Sequence, residues 1–118
     1  MKKRILVIDD EQQILNSISL YFSEYDVVTA SDGKEGLKIF ESMKPDLIIT
    51  DIIMPKVEGI EFILTLKEKN VSVPIIVMSG RTIGREYLDM AIELGAFEKL
   101  EKPFKLEELK KLIVKLIE

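Results

Sequence analysis

A doubly wound α/β fold, with a five-stranded parallel sheet covered by helices on both faces, is predicted by three features of this sequence. Short runs of β-branched and aliphatic residues recur along the chain, each bounded by acids, glycine or proline, as strands buried on both faces require. Between these runs the apolar residues repeat at three and four positions, the spacing of one helix face. Strands and helices alternate strictly, which implies parallel strands joined by right-handed helical crossovers.

The first strand is Ile5-Leu6-Val7-Ile8, ended by Asp9 and Asp10. Further strands are predicted at Val27-Val28-Thr29-Ala30, Leu47-Ile48-Ile49-Thr50 and Ile75-Ile76-Val77-Met78, with a weaker one around Ala96 to Leu100. Pro45 and Pro74 mark two of their starts. Helical spacing joins Ile14, Leu15, Ile18 and Phe22, then Leu37, Phe40 and Met43, then Phe62, Ile63 and Leu66. A fourth helix carries Tyr87, Met90, Ala91 and Leu94. The last carries Leu106, Leu109, Leu112, Ile113, Leu116 and Ile117, with Pro103 suited to its start. Five strands with terminal helices on opposite faces fit the flavodoxin-like order 2-1-3-4-5, and 118 residues are too few for an eightfold barrel.

That length suits one domain over residues 1–118, without repeat, linker or low-complexity tract. A hydrophobic fraction of 47% beside 32% charged residues is the balance of a globular chain. No apolar run approaches the roughly 20 residues of a membrane span, and Met1-Lys2-Lys3-Arg4 precedes too short an apolar segment for a signal peptide. Without cysteine there are no disulfides or thiolate sites, consistent with the cytoplasm. Without histidine, Ser-His-Asp and Cys-His catalysis are excluded, and a metal would be held by oxygen alone, which favours magnesium, or manganese in its place. The net charge of −4 argues against direct nucleic-acid binding.

In doubly wound sheets ligands bind beyond the carboxyl ends of the strands, where the winding direction reverses. Asp9 and Asp10 follow strand 1 and Asp51 follows strand 3, so the predicted order gathers three carboxylates at that point. Crowded like charges raise one another's pKa and are costly unless a cation neutralises them. A carboxylate beside a hard cation can attack a phosphoryl group, and Asp51, alone at the end of the central strand, is the expected nucleophile. Ser79 after strand 4 offers a hydroxyl donor, and Lys102 after strand 5 a fixed positive charge. Taken singly, Asp9-Asp10 would be a helix cap, Asp51 and Ser79-Gly80 turn residues, and Lys102 a solvated charge; their joint placement at strand ends points to a site, with Asp9-Asp10 expected both to cap the first helix and to serve that site.

Asp9-Asp10 after Ile5-Leu6-Val7-Ile8, Asp51-Ile52-Ile53-Met54-Pro55 with Gly59 beyond, Ser79-Gly80, Gly95-Ala96 and Lys102-Pro103-Phe104 stand in the order and spacing of a known family. Over essentially its whole length the chain resembles the receiver domain of two-component response regulators, of the single-domain CheY-like kind. The resemblance implies a signalling switch rather than a metabolic enzyme, in which a histidine kinase, a phosphotransfer protein or a small phosphodonor passes a phosphoryl group to Asp51. It implies magnesium ligated by Asp10, Asp51 and the backbone carbonyl of Ile53, with Asp9 acting through water, and a cis peptide before Pro103. It also implies a signal that leaves through the face of the fourth helix, fifth strand and fifth helix, with Ser79 moving toward the phosphoryl group.

One departure stands at Lys99, where the family carries an aromatic; Phe97 and Tyr87 are the nearest substitutes. Ile53 and Arg81 hold the positions that flank attacking water, and an apolar Ile53 with a covering Arg81 predicts slow self-dephosphorylation. A haloacid-dehalogenase-type phosphatase would need a second Asp where Ile53 stands. A flavin module would need a phosphate loop where Asp9-Asp10-Glu11 stands, and no P-loop pattern occurs. The remaining alternative is a receiver-like interaction domain that works without phosphorylation. Because the sequence stops after the fifth helix, no output domain is expected, and the protein is expected to act on other proteins as a monomer or weak dimer.

Overall fold

A computed structural model describes residues 2–52, 59–69, 71–80 and 85–118, the side chains of residues 59 and 85–88 excepted. Strands and helices alternate as β1 Arg4–Ile8, α1 Gln12–Tyr21, β2 Asp26–Ala30, α2 Gly33–Met43, β3 Leu47–Asp51, α3 Gly59–Glu68, β4 Ile75–Ser79, α4 Arg85–Glu93, β5 Glu98–Glu101 and α5 Leu106–Ile117. All strand pairs are parallel, in the order β2-β1-β3-β4-β5. This is the flavodoxin-like arrangement the sequence predicts.

Period-two alternation along the central strands divides the core into two layers. Leu6, Ile8, Ile48 and Val77 pack with Phe62, Ile63, Leu66 and Ala91, on the face covered by α2, α3 and α4. Ile5, Val7, Leu47, Ile49, Ile76 and Met78 pack with Leu15, Ile18, Phe22, Leu109 and Ile113, on the face covered by α1 and α5. The terminal helices thus share one face instead of lying on opposite faces as expected, because the right-handed crossovers that run toward β5 put α2, α3 and α4 on the other side and leave α5 to pack beside α1. Because neighbouring residues serve opposite layers, the central strands read as uninterrupted apolar runs.

Three local features differ from expectation. Asp51 and Ser79 are the last residues of β3 and β4 rather than the first residues beyond them, in register with Met78 and Glu101. β5 is a short edge strand beginning at Glu98, and Ala96 is buried in the loop before it. Only one neighbour and one well-buried residue, Leu100, leave β5 little apolar signal. Pro103 lies in the loop before α5, whose N-cap is Lys105, so it does not start the helix. The Glu108 side chain closes that end by accepting from the Lys105 amide at 3.1 Å.

Candidate functional site

Backbone hydrogen bonds fix the strand ends that carry the site. The Asp9 amide donates to the Ala30 carbonyl (3.1 Å), that of Ile52 to Met78 (3.0 Å), and that of Lys102 to Ser79 (2.7 Å). The ladders thus continue to the rim, and the residues that end them have little freedom. With β1 and β3 adjacent, the carboxylates of Asp9, Asp10 and Asp51 come together, one oxygen of each within 4.8 Å of the others. Asp9 and Asp51 are buried, whereas Asp10 is exposed.

Lys102 reaches into this group from the end of β5. Its Nζ lies 2.8 Å from Asp9 Oδ2 and donates hydrogen bonds to Asp51 Oδ2 at 3.0 Å and Glu11 Oε1 at 3.2 Å. The Lys102-Pro103 peptide is cis, as the resemblance implies. Burial pushes the Asp9 carboxyl above the usual range, against the lowering effect of Lys102 and of the Glu11 amide, which donates to Asp9 Oδ1 at 2.8 Å. Burial alone would lower the lysine, but hydrogen bonds and charges from Asp9 and Asp51 hold it well above its ordinary value.

The donor set suits a hard divalent cation. Among the described residues it consists of carboxylate oxygens, and Asp9 Oδ2 is buried in ion contact with Lys102 but without an aligned hydrogen bond. Such an oxygen has capacity left for an aquated cation, and Asp10 provides one on the solvent side.

Other expected residues take varied places. Ser79 is fully buried at the end of β4, its hydroxyl donating to the Gly80 carbonyl at 3.1 Å. Lys99 is exposed on β5 and pairs with Asp89 of α4 at 3.7 Å. Phe97 precedes β5 with 54% of its surface exposed. Ile53 and Arg81 lie outside the described residues, as does the side chain of Tyr87. The N-cap of α1 is Glu11 without a side-chain cap bond, and Asp9 bonds the Glu11 amide instead, so the capping expected of Asp9-Asp10 is not what the helix uses.

Two participants escaped prediction. Glu11 is a third acid on the lysine; its proximity to Asp9 was its signal. Thr50 is fully buried and donates to the Asp51 carbonyl at 3.0 Å, marked only as the polar member of the run Leu47-Ile48-Ile49-Thr50.

The family model of the response regulator receiver domain matches residues 5–114. The chain belongs to this family. Receiver domains are signalling proteins of two-component systems, and this one carries the acidic pocket at its strand ends. The receiver is 42% identical over 113 residues to the alkaline phosphatase synthesis transcriptional regulatory protein PhoP of Bacillus subtilis, covering 92% of this chain and 46% of the relative. It is 38% identical over 111 residues to response regulator MprA of Mycolicibacterium vanbaalenii, covering 92% and 48%. The chain therefore spans about half the length of these curated relatives. Among solved structures, a receiver domain from Clostridium thermocellum superposes with a TM-score of 0.88 at 36% identity, covering 98% of this chain and 94% of the other. The chemotaxis protein CheY4 of Vibrio cholerae gives 0.87 at 29% identity, covering 98% and 99%. Among the described residues no helix is long and apolar enough to cross a membrane.

Proposed function

We propose that this receiver domain is a phosphorylation-dependent switch in which Asp51 accepts a phosphoryl group from the phosphohistidine of a kinase or phosphotransfer protein. The observation that carries this reading is the set of distances around Asp51: Lys102 Nζ at 3.0 Å, with Asp9 and Asp10 oxygens gathered beside it. An Asp51 carboxylate oxygen forms the new O–P bond while the P–N bond breaks, and the imidazole leaves with its electron pair. Lys102 neutralises charge on the transferred oxygens from a position fixed by the end of β5. A magnesium ion, or manganese, would be held by Asp10, Asp51 and the Ile53 carbonyl, with Asp9 acting through water. It would offset charge on the phosphoryl oxygens and the pocket acids.

Readout is assigned to Ser79, whose hydroxyl would exchange the Gly80 carbonyl for a phosphoryl oxygen, and to the surface of α4, β5 and α5. On that surface the ion pair of Lys99 with Asp89 would stand where an aromatic stands elsewhere in the family. Ile53 and Arg81 would slow hydrolysis of the acyl phosphate. The unit is taken as one receiver domain over residues 1–118, acting in the cytoplasm on protein partners, as a monomer or weak dimer.

Incubation with acetyl phosphate and magnesium, followed by intact mass, tests this. A single phosphoryl adduct is expected in the wild-type protein and none in Asp51→Asn. Absence of the adduct, or equal adducts in both, would leave an interaction domain that works without phosphorylation.

A further inference from the structure

The three acids around Lys102 differ in how firmly they are committed to it. Asp9 is fully buried, and its other oxygen already accepts from the Glu11 amide. Asp51 is nearly as buried and is the proposed acceptor itself. The Glu11 side chain is 59% exposed and sits farthest from Nζ, at 3.2 Å against 2.8 and 3.0 Å. It also lines an open groove of about 630 Å³, together with Ile14, Ile18, Phe104 and Lys102. An anion in this groove that approaches Lys102, whose Nζ bonds Asp51, meets the Glu11 carboxylate.

An ammonium group has three N–H donors, and here Nζ faces three carboxylates. Two of those donors go to Asp51 and Glu11, while Asp9 holds Nζ in ion contact at 2.8 Å, so a phosphoryl oxygen competes with carboxylates for the lysine. Asp9 is fully buried and holds the shortest contact with Nζ, so it yields least readily, and Asp51 supplies the attacking atom. Glu11 can turn into solvent at little cost, because exposed ion pairs contribute little and are screened by salt.

We propose that Glu11 is a specificity-determining residue: its carboxylate holds a lysine donor for which a phosphoryl oxygen competes, and thereby disfavours small, highly charged phosphodonors. The inference rests on Asp51 being the acceptor. Two effects act together, competition for Nζ and repulsion of an anion at the groove wall. Both grow with the negative charge of the donor, so acetyl phosphate is penalised more than phosphoramidate, which carries one negative charge fewer at neutral pH. With acetyl phosphate the Asp51 oxygen forms the O–P bond as the bond to the acetyl oxygen breaks and acetate leaves. With phosphoramidate the P–N bond breaks and the nitrogen, already protonated, leaves as ammonia.

The test compares the whole chain as wild type and Glu11→Gln, with adduct formation followed by intact mass for both donors at saturating magnesium. Glu11→Gln should accept from acetyl phosphate roughly 3- to 10-fold faster, from phosphoramidate by a smaller factor, and the advantage should shrink near ~1 M salt. A second readout needs neither metal nor donor: in the metal-free protein, the ζ-ammonium protons of Lys102 should exchange with water faster in Glu11→Gln when observed by NMR. Unchanged rates, equal acceleration of both donors, or an unaltered ammonium signal would overturn the proposal. No adduct in either protein, or an equal adduct in Asp51→Asn, would instead remove the acceptor reading and this inference with it, a pattern distinct from adducts that form at unaltered rates.

Discussion

Lys102 and Asp9 form an ion pair of 2.8 Å in which the carboxylate has no exposed surface and the lysine side chain only 13%. Removing the cation strands at least one buried carboxylate, a loss of a kind that typically costs about 3–5 kcal/mol. Lys102→Met is expected to destabilise the metal-free protein by about 3 kcal/mol in urea titrations at pH 7. The pH dependence has a definite sign. Burial already raises the Asp9 pKa, and loss of Lys102 raises it further, so the folded state binds the proton more tightly than the unfolded chain. Stability of the variant should therefore recover as pH falls through the raised Asp9 value, and decline again as the pH is brought back up. Magnesium should recover part of the loss at neutral pH. A variant as stable as wild type, or one whose deficit does not respond to pH, would contradict this account.

Asp10 is the exposed member of the acidic trio, so its replacement should separate metal affinity from folding. Asp10→Ala is expected to weaken magnesium binding about tenfold or more, the scale of loss seen even for outer ligands. Because the side chain is exposed, urea midpoints without metal should move little, within about 0.5 kcal/mol. Calorimetric titration with magnesium chloride measures the first quantity. Unchanged affinity would exclude Asp10 as a ligand.

The central strands were legible because burial on both sides makes Ile5 to Ile8, Leu47 to Ile49 and Ile75 to Met78 uninterrupted apolar runs, and the polar residues that follow them, Asp9, Asp51 and Ser79 included, stood out by contrast. Asp9, Asp51 and Lys102 followed from strand order alone, since a parallel sheet sends all carboxyl ends to one rim. Glu11 was not legible as a partner of Lys102. Their contact joins residues 91 apart in sequence through side-chain reach, which no periodicity encodes. Nor was the start of β5: in Glu98-Lys99-Leu100-Glu101 only Leu100 faces the core, so buried Ala96 in the preceding loop drew the predicted strand too early. Asp32 was also missed, although it caps α2 by accepting from the Glu35 amide at 2.8 Å while Glu35 accepts from the Ser31 amide at 3.2 Å. That pair is a local signature and could have been read.

Tyr25 closes the end of the sheet opposite the acidic pocket, where its buried hydroxyl donates to Glu118. Burial, and then the hydrogen bond and charge of Glu118, push the phenol up to about 12. The neutral phenol therefore favours the fold fully below an unfolded pKa of about 10, and that contribution is lost as pH rises through the folded value. Tyr25→Phe should cost about 1 kcal/mol at neutral pH. Its deficit relative to wild type should close between pH 10 and about 12. Denaturation of both proteins across that interval checks this, and a deficit that stays constant would show that the phenol's ionisation is not coupled to folding.

Gly36 lies where α2 crosses β1, and a methyl group on its Cα would sit 2.5 Å from Ile8 Cδ1 and 3.5 Å from Phe62 Cε1. Both neighbours are fully buried, so Ile8 cannot swing into solvent to make room. Alanine ordinarily gains up to about 1 kcal/mol over glycine inside a helix. Here overpacking of a filled core, which costs about 1–3 kcal/mol, should outweigh that gain. Gly36→Ala is accordingly expected to lose about 1 kcal/mol net in chemical denaturation. Ile8→Val removes Cδ1, the atom in conflict, at a cost of about 1 kcal/mol when made alone. In the Gly36→Ala background the same change should cost far less, or restore stability, giving a favourable coupling of about 1 kcal/mol in the double-mutant cycle. Strictly additive effects would mean that α2 shifts away from the sheet instead, and that the close approach of Gly36 to Ile8 is not what sets the distance between helix and strand.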